Sequence, residues 1–260
     1  MFKRKSSIEI KSADQLDVMR QAGLVVAEAL AAMEAAVAPG VTTDDLNDIA
    51  VAILAKHGAT SNFLGYHGYP RVICASVNDE VVHGIPGNRS LNDGDLISID
   101  FGAVVDGWHG DAAISVEVGT VAPEVRALSE ATRESLWAGL RAAQPGARLT
   151  DISHAVETSL RQSGDYGIVQ EYGGHGIGTA MHMEPHILNY GAPGRGPVLR
   201  PGMVLAIEPM AVLGSHDVGV LEDGWTVVTL DGSVASHWEH SVAITEDGPW
   251  VLTTIPHTQI

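Results

Sequence analysis

The chain has 260 residues, enough for one large domain or two small ones, and a net charge of −17 at pH 7. Its 45% hydrophobic and 18% charged residues are typical of a soluble globular protein, and no apolar run approaches the roughly 18 residues that span a bilayer. The negative charge disfavours nucleic acid or an anionic membrane as a partner, and the single cysteine, Cys74, excludes an internal disulfide framework and indicates a reducing cytoplasm.

Helix signals in the sequence come in two pairs, each followed by a β-rich stretch. Ser12-Ala-Asp-Gln15 matches a capping box, and Pro39-Gly40 ends the alanine-rich run behind it. The segment 71–118 and the chain from Tyr166 onward alternate short apolar runs with Gly, Asn and Asp, which predicts strands and loops. Helices are predicted over about residues 13–38, 43–56, 123–143 and 150–162.

The two helix–strand units resemble each other. An ungapped match at an offset of 106 residues places Pro39-Gly40, Asp45, Leu54 and Gly58 on Pro145-Gly146, Asp151, Leu160 and Gly164. Leu91–Asp100 resembles Leu199–Glu208 at an offset of 108, and both segments end an apolar strand in a carboxylate. Chance matches of this kind are common, so the sequence alone leaves a duplication open. If it is real, residues 12–260 form one α+β domain of two pseudo-symmetric halves with a sheet covered by helices, behind a flexible tail of residues 1–11.

Asp100 and Asp111 are the first candidates for chemistry. Because side chains alternate along a strand, Asp100 lies on the opposite face from Ile99 and Phe101. A hairpin that turns at Asp106-Gly107 without a bulge would bring Asp111 onto the same face as Asp100. The alternative is that Asp111 only begins a strand and Asp100 hydrogen-bonds a loop.

The repeat adds two further acids, Glu208 and Glu239, each next to an apolar strand. We expect the four acids to lie at strand ends and to converge where the halves meet. Four buried carboxylates require protons or cations. Oxygen ligands with an imidazole suit Mn, Fe, Co or Zn, and a surplus of carboxylates favours two ions about 3.5–4 Å apart.

The stretch EYGGHGIGTAMHMEPHILNY contains three histidines that could supply the imidazole: His175, His182 and His186. Their spacings of seven and four would align them on a helix, but the glycines and Pro185 exclude a helix here. From the residues alone, they are a metal cluster, catalytic groups or unrelated polar side chains of a glycine-rich loop.

The acids and His175, in their chain order, together with several longer motifs, resemble the methionine aminopeptidases, type I, of metallopeptidase family M24. The resemblance runs from about Ser12 to the end, and its motifs are Gly65–Pro70, Asn78–Pro86, Tyr172–Gly178 and Ile207–Met210. It implies the pseudo-two-fold "pita-bread" (creatinase/aminopeptidase) fold with a curved antiparallel sheet and a dinuclear metal site. Type I is indicated because only 25 residues separate His182 from Glu208.

The resemblance also implies roles for individual residues. The implied metal ligands are Asp100, Asp111, His175, Glu208 and Glu239, with Asp111 and Glu239 bridging two divalent cations whose identity (Mn, Fe, Co or Zn) the sequence leaves open. Glu208 is the candidate proton acceptor. His182 matches the position that contacts the substrate carbonyl, and His83 matches the position that meets the scissile amide nitrogen. His186 is expected to be structural, since it matches no such position.

A methionine side chain needs a narrow apolar slot. Tyr66, Tyr69, Cys74 and Trp225 match pocket positions of the family, although ordinary packing also accounts for large aromatics. Met181 stands where the family often has Phe, and Phe63 stands where a smaller residue is usual. These two departures put the shape of the pocket in question.

The resemblance implies removal of the initiator methionine from nascent proteins and peptides, with a small second residue preferred. The predicted enzyme is a cytoplasmic monomer that takes neither nucleic acid as substrate nor a membrane as partner, and the basic Lys3-Arg4-Lys5 segment is compatible with docking near the ribosome exit. Two alternatives stay open: a proline-specific aminopeptidase or dipeptidase of the same fold, and a metal-free peptide-binding module.

Overall fold

The computed structural model describes residues 8–255 and 258–259. Within these residues the helices form two pairs that cover an antiparallel sheet, as the sequence predicts. None of these helices is both long and apolar enough to cross a bilayer. A single 3₁₀ turn lies at Tyr66–Gly68. The helices are α1 Ala13–Ala36, α2 Thr43–His57, α3 Pro123–Ala142 and α4 Leu149–Ser163.

The strands of the first half surround one long hairpin. They are β1 Thr60–Ser61, β2 Ile73–Val77, β3 Glu80–Val82, β4 Leu96–Val105 and β5 Trp108–Glu117. The hairpin β4–β5 turns at Asp106-Gly107, where φ is +48° and +81°. Positive φ at both central residues is the geometry that a two-residue hairpin loop requires. The turn therefore falls where the sequence predicts it.

The strands of the second half are shorter and more numerous. They are β6 Gly167–Ile168, β7 Gly174–Gly176, β8 Met183–Ile187, β9 Val204–Ile207, β10 Met210–Val212, β11 Val218–Val220, β12 Val227–Thr229, β13 Ala235–His237, β14 Glu239–Thr245, β15 Gly248–Val251 and β16 Thr258–Gln259. Across the described residues, the main sheet runs β1-β4-β5-β14-β9-β7-β8, and all of its pairs are antiparallel. The pairing of β5 with β14 joins the two halves.

The duplication indicated by the sequence is visible in the backbone. In the first half, the Gly40 N–H donates to the Leu91 carbonyl at 2.8 Å. In the second half, the Gly146 N–H donates to the Leu199 carbonyl at 2.9 Å. This is the equivalent bond, because Gly146 follows Gly40 by 106 residues and Leu199 follows Leu91 by 108. Both glycines have φ near +90°, a conformation that favours glycine. The pseudo-two-fold repeat is therefore confirmed.

Each half has its own hydrophobic core between its helix pair and one face of the sheet. In the first half, Ile97, Ile99 and Phe101 of β4 pack with α1 and α2. In the second half, Leu205 and Ile207 of β9 pack with α3 and α4. Because side chains alternate along a strand, residues between these positions point to the opposite face of the sheet. That face carries the site.

The chain before α1 differs from the sequence-based expectation. Residues 1–7, including Lys3-Arg4-Lys5, lie outside the described residues. In the part of the predicted tail that the structure describes, Ile8 packs against the second core and the Lys11 N–H donates to the Gly202 carbonyl at 2.8 Å. Lys11 is buried, so residues 8–11 are packed against the domain. The assignment of the chain to a single domain stays a prediction.

Candidate metal centre and substrate pocket

The strand register brings the first three acids onto one face of the sheet. Asp100 of β4 and Glu239 of β14 both lie opposite Ala113 of β5, one on each side. Asp111 precedes Ala113 by two residues and therefore shares its face. Ala113 has a small side chain, and the space over Gly102, which is paired with Asp111, is occupied by the Asn62 side chain.

The second half places the other two predicted ligands on the same face of the sheet. His175 of β7 lies opposite Ala206 of β9, and Ser241 of β14 lies on the other side of Ala206. Glu208, two residues beyond Ala206, continues the register and stands across from Glu239. The five predicted ligands thus share one face of five neighbouring strands.

One detail of the prediction is wrong. The sequence suggested acids at strand ends, but Asp100 and Asp111 lie inside β4 and β5, each of which is 10 residues long. Pairing runs without a register shift from the Leu96/Glu117 pair to the Val105/Trp108 pair at the hairpin turn, so both acids fall inside the paired region. Glu208 and Glu239 do stand at strand ends, as expected.

Burial disfavours the ionised form of the carboxylates in this row of ligands. Asp100 Oδ1, Asp111 Oδ1 and Glu239 Oε1 are inaccessible to solvent and have no hydrogen-bond partner among the described residues. Burial raises the pKa of Asp111 to about 7, against a hydrogen bond from Asn62 that lowers it. Burial first, and the neighbouring carboxylates second, hold the pKa values of Asp100 and Glu239 well above their ordinary range. A divalent cation would remove this penalty, so the donor set fits a metal.

His175 is oriented as a ligand. Its Nδ1–H donates to the Gly176 carbonyl at 3.0 Å, which leaves the lone pair of Nε2 free for a metal. Nε2 lies 3.6 Å from Glu208 Oε1, and ligand atoms of Asp111, His175 and Glu239 all lie within 4.8 Å of one another. Burial lowers the pKa of His175 to about 3, so the imidazole is neutral at pH 7.

A cavity of about 100 Å³ is lined on one side by the ligand row, the five predicted ligands Asp100, Asp111, His175, Glu208 and Glu239. Its lining contains every site residue predicted from the sequence: Phe63, Tyr66, Tyr69, Cys74, His83, Asp100, Asp111, His175, Met181, His182, Glu208, Trp225 and Glu239. The structure therefore brings the predicted ligands, histidines and pocket residues into one cavity. Its floor is acidic and its far end is apolar.

The apolar end is built from packed aromatic and sulfur side chains. Tyr69 meets Phe63 and Trp225 edge to face, with ring centroids 6.4 and 5.0 Å away, and Met181 belongs to the same buried cluster. The Tyr69 hydroxyl is not a free polar group, since it donates to backbone carbonyls at 3.0 Å. Cys74 lies beside Asp100 in the register, and burial raises the pKa of its thiol well above the ordinary value. A protonated thiol serves as a wall rather than a nucleophile.

His182 stands where the apolar end meets the ligand row. Its Nδ1 lies 2.8 Å from the Tyr66 hydroxyl, and its ring meets the His175 ring edge to face at 4.4 Å. When the Tyr66 hydroxyl donates to Nδ1, Nε2 carries the proton and can donate to a substrate oxygen.

Comparisons with known proteins agree with this geometry. The model of metallopeptidase family M24 matches residues 17–246. The chain is 58% identical over 249 residues to methionine aminopeptidase 1 of Mycobacterium tuberculosis (strain CDC 1551 / Oshkosh), covering 94% of each chain. It is 48% identical to methionine aminopeptidase 1 of Bacillus subtilis (strain 168), covering 94% of this chain and 98% of that one.

A solved structure of methionine aminopeptidase from Thermotoga maritima superposes with a TM-score of 0.94 at 42% identity, covering 95% of this chain and all of that one. The chain belongs to the methionine aminopeptidases of family M24. The prolidase from Pyrococcus furiosus is also similar, with a TM-score of 0.76 at 22% identity over 96% of this chain and 66% of that one. That likeness concerns the fold, which is the pita-bread fold predicted from the sequence.

A second, wider cavity of about 490 Å³ adjoins the ligand row of this methionine aminopeptidase. His83 lies in the wall that both cavities share. Its backbone has φ +61°, a sparsely populated conformation for a residue with a side chain, and burial lowers its pKa to about 4. Tyr172 meets the His83 ring edge to face at 5.6 Å. His186, expected to be structural, is exposed in the wall of this second cavity.

His67, His109 and His240, which lie close to candidate site residues in the chain, do not line either cavity. His240 points away from Glu239, as strand alternation predicts, and its Nδ1 lies 2.8 Å from Thr253 Oγ1. His109 lies on β5, where its N–H donates to the Gly178 carbonyl. His67 is exposed and packs edge to face on Tyr66, with the ring centroids 4.4 Å apart.

His237 is the residue near the site that the sequence analysis missed. It is 2% exposed, and its Nε2 lies 3.7 Å from Glu208 Oε2. Burial lowers its pKa to about 3. A signal was present in the sequence, because His237 stands two residues before Glu239 and so has the parity of a ligand.

Proposed function

We propose that this methionine aminopeptidase removes the N-terminal methionine of peptides and nascent proteins and prefers a small second residue. The observation that carries the proposal is the cavity of about 100 Å³, which joins the ligand row to the apolar cluster of Phe63, Tyr69, Cys74 and Met181. A slot of this size accepts one side chain, so we infer that it stops the substrate one residue from its N-terminus. This geometry favours an exopeptidase that recognises a single apolar, flexible residue.

We infer that two divalent cations are held by the five ligands. Asp111 and Glu239 would serve both ions, Asp100 would serve one of them, and His175 and Glu208 would serve the other. Four carboxylates around one imidazole exceed what a single ion needs, and this surplus supports a pair. Oxygen and nitrogen donors favour Mn, Fe, Co or Zn.

When bound, the cations supply Lewis-acid polarisation of the scissile carbonyl and an acidified water that can attack an amide at neutral pH. Glu208 is the proposed proton acceptor. Burial first, and Asp111 second, raise the pKa of its carboxyl well above the ordinary value, so this carboxyl holds a proton more readily than an exposed glutamate does.

Two histidines are proposed to act on the substrate. His182 donates from Nε2 to the carbonyl oxygen as negative charge develops there, with its ring held by the Tyr66 hydroxyl. His83 meets the scissile amide nitrogen and assists its protonation. Its position in the wall between the two cavities supports this role, because the scissile bond must lie between the first residue and the rest of the chain.

The wider cavity is proposed to receive the second residue and the chain that follows. We further propose a cytoplasmic monomer of one catalytic domain. Docking of the basic Lys3-Arg4-Lys5 segment near the ribosome exit remains a proposal that follows from the substrate class alone.

The test compares hydrolysis of a Met-Ala-Ser tripeptide with that of an Xaa-Pro peptide, using metal-free protein with and without added Mn or Co. We expect methionine release from Met-Ala-Ser only with metal, and little cleavage of the Xaa-Pro peptide. Preferred cleavage of the Xaa-Pro peptide would replace the proposal by a proline-specific peptidase. Peptide binding without hydrolysis under all metal conditions would replace it by a binding module.

A further inference from the structure

His237 is held beside Glu208 by the hydroxyls of two neighbouring strands. Its N–H lies within hydrogen-bonding distance of Ser98 Oγ and Ser115 Oγ, at 3.2 and 3.1 Å, and the Ser115 hydroxyl donates to its carbonyl at 2.9 Å. Ser98 lies opposite Ser115 in the β4–β5 hairpin, the same hairpin that carries Asp100 and Asp111. These bonds fix the His237 backbone to the scaffold of the ligand row, and the His237 side chain is buried beside Glu208.

The imidazole points at a specific oxygen of Glu208. His237 Nε2 lies 3.7 Å from Glu208 Oε2, while His175 Nε2 lies 3.6 Å from Glu208 Oε1. Each oxygen of the carboxyl thus faces a different imidazole. His175 directs its hydrogen-bonding proton to a backbone carbonyl and keeps its lone pair toward Oε1. The two imidazoles are therefore not equivalent.

His237 Nε2 has no hydrogen-bond partner within the described part of the chain and is inaccessible to solvent. A buried polar atom without a partner is unfavourable, so such an atom indicates an interaction that forms in the working enzyme. The separation from Oε2 exceeds a hydrogen bond by about half an ångström. Rotation of the Glu208 carboxyl about its last side-chain bond, a torsion with a broad energy minimum, is the motion by which the proposed hydrogen bond would form.

We propose that His237 is a positioning residue for Glu208: its Nε2–H donates to Oε2 and so keeps Oε1 turned toward His175 and the ligand row. The inference rests on the proposed function, in which Glu208 is a ligand and proton acceptor. Partners behind a metal ligand fix its orientation and typically change metal affinity or activity by about 10–100-fold when removed.

The first test separates loss of the donor from loss of packing. His237→Leu removes the hydrogen-bond donor, whereas His237→Gln keeps an N–H at a similar reach. We expect His237→Leu to weaken Mn binding, measured by titration calorimetry, about 10-fold and to lower kcat for Met-Ala-Ser by a similar factor with KM little changed. His237→Gln should restore both quantities to within about threefold of wild type.

His240→Leu is the matched control, because it removes a largely buried imidazole from the next strand that points away from the ligands. It should leave Mn affinity and kcat within about threefold of wild type. Wild-type Mn affinity and kcat in His237→Leu would overturn the proposal. Equal losses in His237→Leu and His237→Gln would also overturn it, since packing alone would then explain the effect.

A second measurement uses the wild-type protein and does not depend on the folding of any variant. Nitrogen-15 NMR of histidine-labelled, Zn-loaded enzyme reports which ring nitrogen of His237 carries the proton. We expect the Nε2–H tautomer, with the Nε2 proton protected from exchange. A Nδ1–H tautomer would overturn the proposal even if the wild-type enzyme binds metal and releases methionine, so failure here is distinguishable from failure of the proposed function.

Discussion

The acidic floor and the apolar end of the cavity are built in different ways. The floor is made from strands whose register places Asp100, Asp111 and Glu239 on one face beside the same small residue. The apolar end comes mostly from turns and loops: Phe63 and Tyr66 lie around the 3₁₀ turn, and Met181 and Trp225 lie outside the regular strands.

This difference separates chemistry from selectivity. Strands paired on both sides hold the ligand atoms at fixed spacing, which a metal site requires. Loops can change residue by residue without moving the sheet, so the departures at Phe63 and Met181 alter the slot while the ligand row stays in place. Changes to the floor should therefore abolish the reaction, and changes to the walls should only adjust it.

The largest effect is expected from breaking the floor. Asp111→Asn keeps the size of the side chain but removes one proposed bridging carboxylate, so metal and activity should be lost together. We expect a loss in kcat/KM of more than about 100-fold, measured on Met-Ala-Ser alongside metal content by mass spectrometry. Asp106→Asn, an exposed change at the turn of the same hairpin, is the control. Normal metal content with full activity in Asp111→Asn would refute the assignment.

The next largest effect is expected where the walls meet the floor. His182→Ala removes the proposed carbonyl donor without removing a ligand, so metal content should be unchanged while kcat falls about 100-fold. His83→Ala should behave in the same way through loss of the amide-nitrogen contact. His154→Ala, at an exposed position of α4, is the control for loss of an imidazole. Unchanged kcat/KM in either site variant would remove that histidine from the mechanism.

The floor should also set a pH dependence of stability in the metal-free protein. The pKa of Asp111 is raised from 3.8 to about 7 in the folded state, so its proton is held more tightly after folding. Its contribution to stability is therefore full below about pH 4 and is lost as the pH rises through 7. The neutral histidines His175 and His237, whose pKa values are lowered to about 3, act in the opposite direction between about pH 3 and 6.5.

A comparison of Asp111→Asn with wild type isolates the contribution of Asp111 to the pH dependence of stability. We expect Asp111→Asn to melt at a higher temperature than metal-free wild type, with a gap that widens from about pH 4 to 7 at roughly 2–4 °C for each kcal/mol. Calorimetry in the presence of a chelator measures this gap. Added Mn should raise the melting temperature of wild type but not of the variant. A gap that is independent of pH would contradict the raised pKa.

The smallest effect is expected within the wall. Tyr66→Phe removes the hydroxyl that lies 2.8 Å from His182 Nδ1 but keeps the ring. One hydrogen bond contributes about 0.5–1.5 kcal/mol, so kcat should fall about 3–10-fold with metal content unchanged. Tyr166→Phe, at a half-buried tyrosine that packs against the core of the second half, is the matched control. Equal kinetics in wild type and Tyr66→Phe would show that the hydroxyl does not orient His182.

The sequence predicted the acids of the ligand row and the residues of the pocket on different grounds. Alternation along a strand and the Asp106-Gly107 turn are local, so they placed Asp100 and Asp111 on one face without any knowledge of the fold. The capping box at Ser12 and the Gly58 stop of α2 are local as well, and both are present in the structure. The pocket residues came from resemblance, because loops obey no such periodicity.

The sequence by itself determined the helix pairs, the shared face of Asp100 and Asp111 and the resemblance to the family, and it indicated a repeat that the backbone hydrogen bonds then confirmed. Only the tertiary structure decided how the two halves meet, because the pairing of β5 with β14 joins segments more than 100 residues apart. That pairing put Glu239 beside Ala113, whereas the β4–β5 hairpin put Asp100 beside Ala113 and placed Asp111 within its strand rather than at its end. The pairing of β10 with β13, which sets His237 opposite Met210, brought His237 to Glu208, and strand parity alone does not specify this contact.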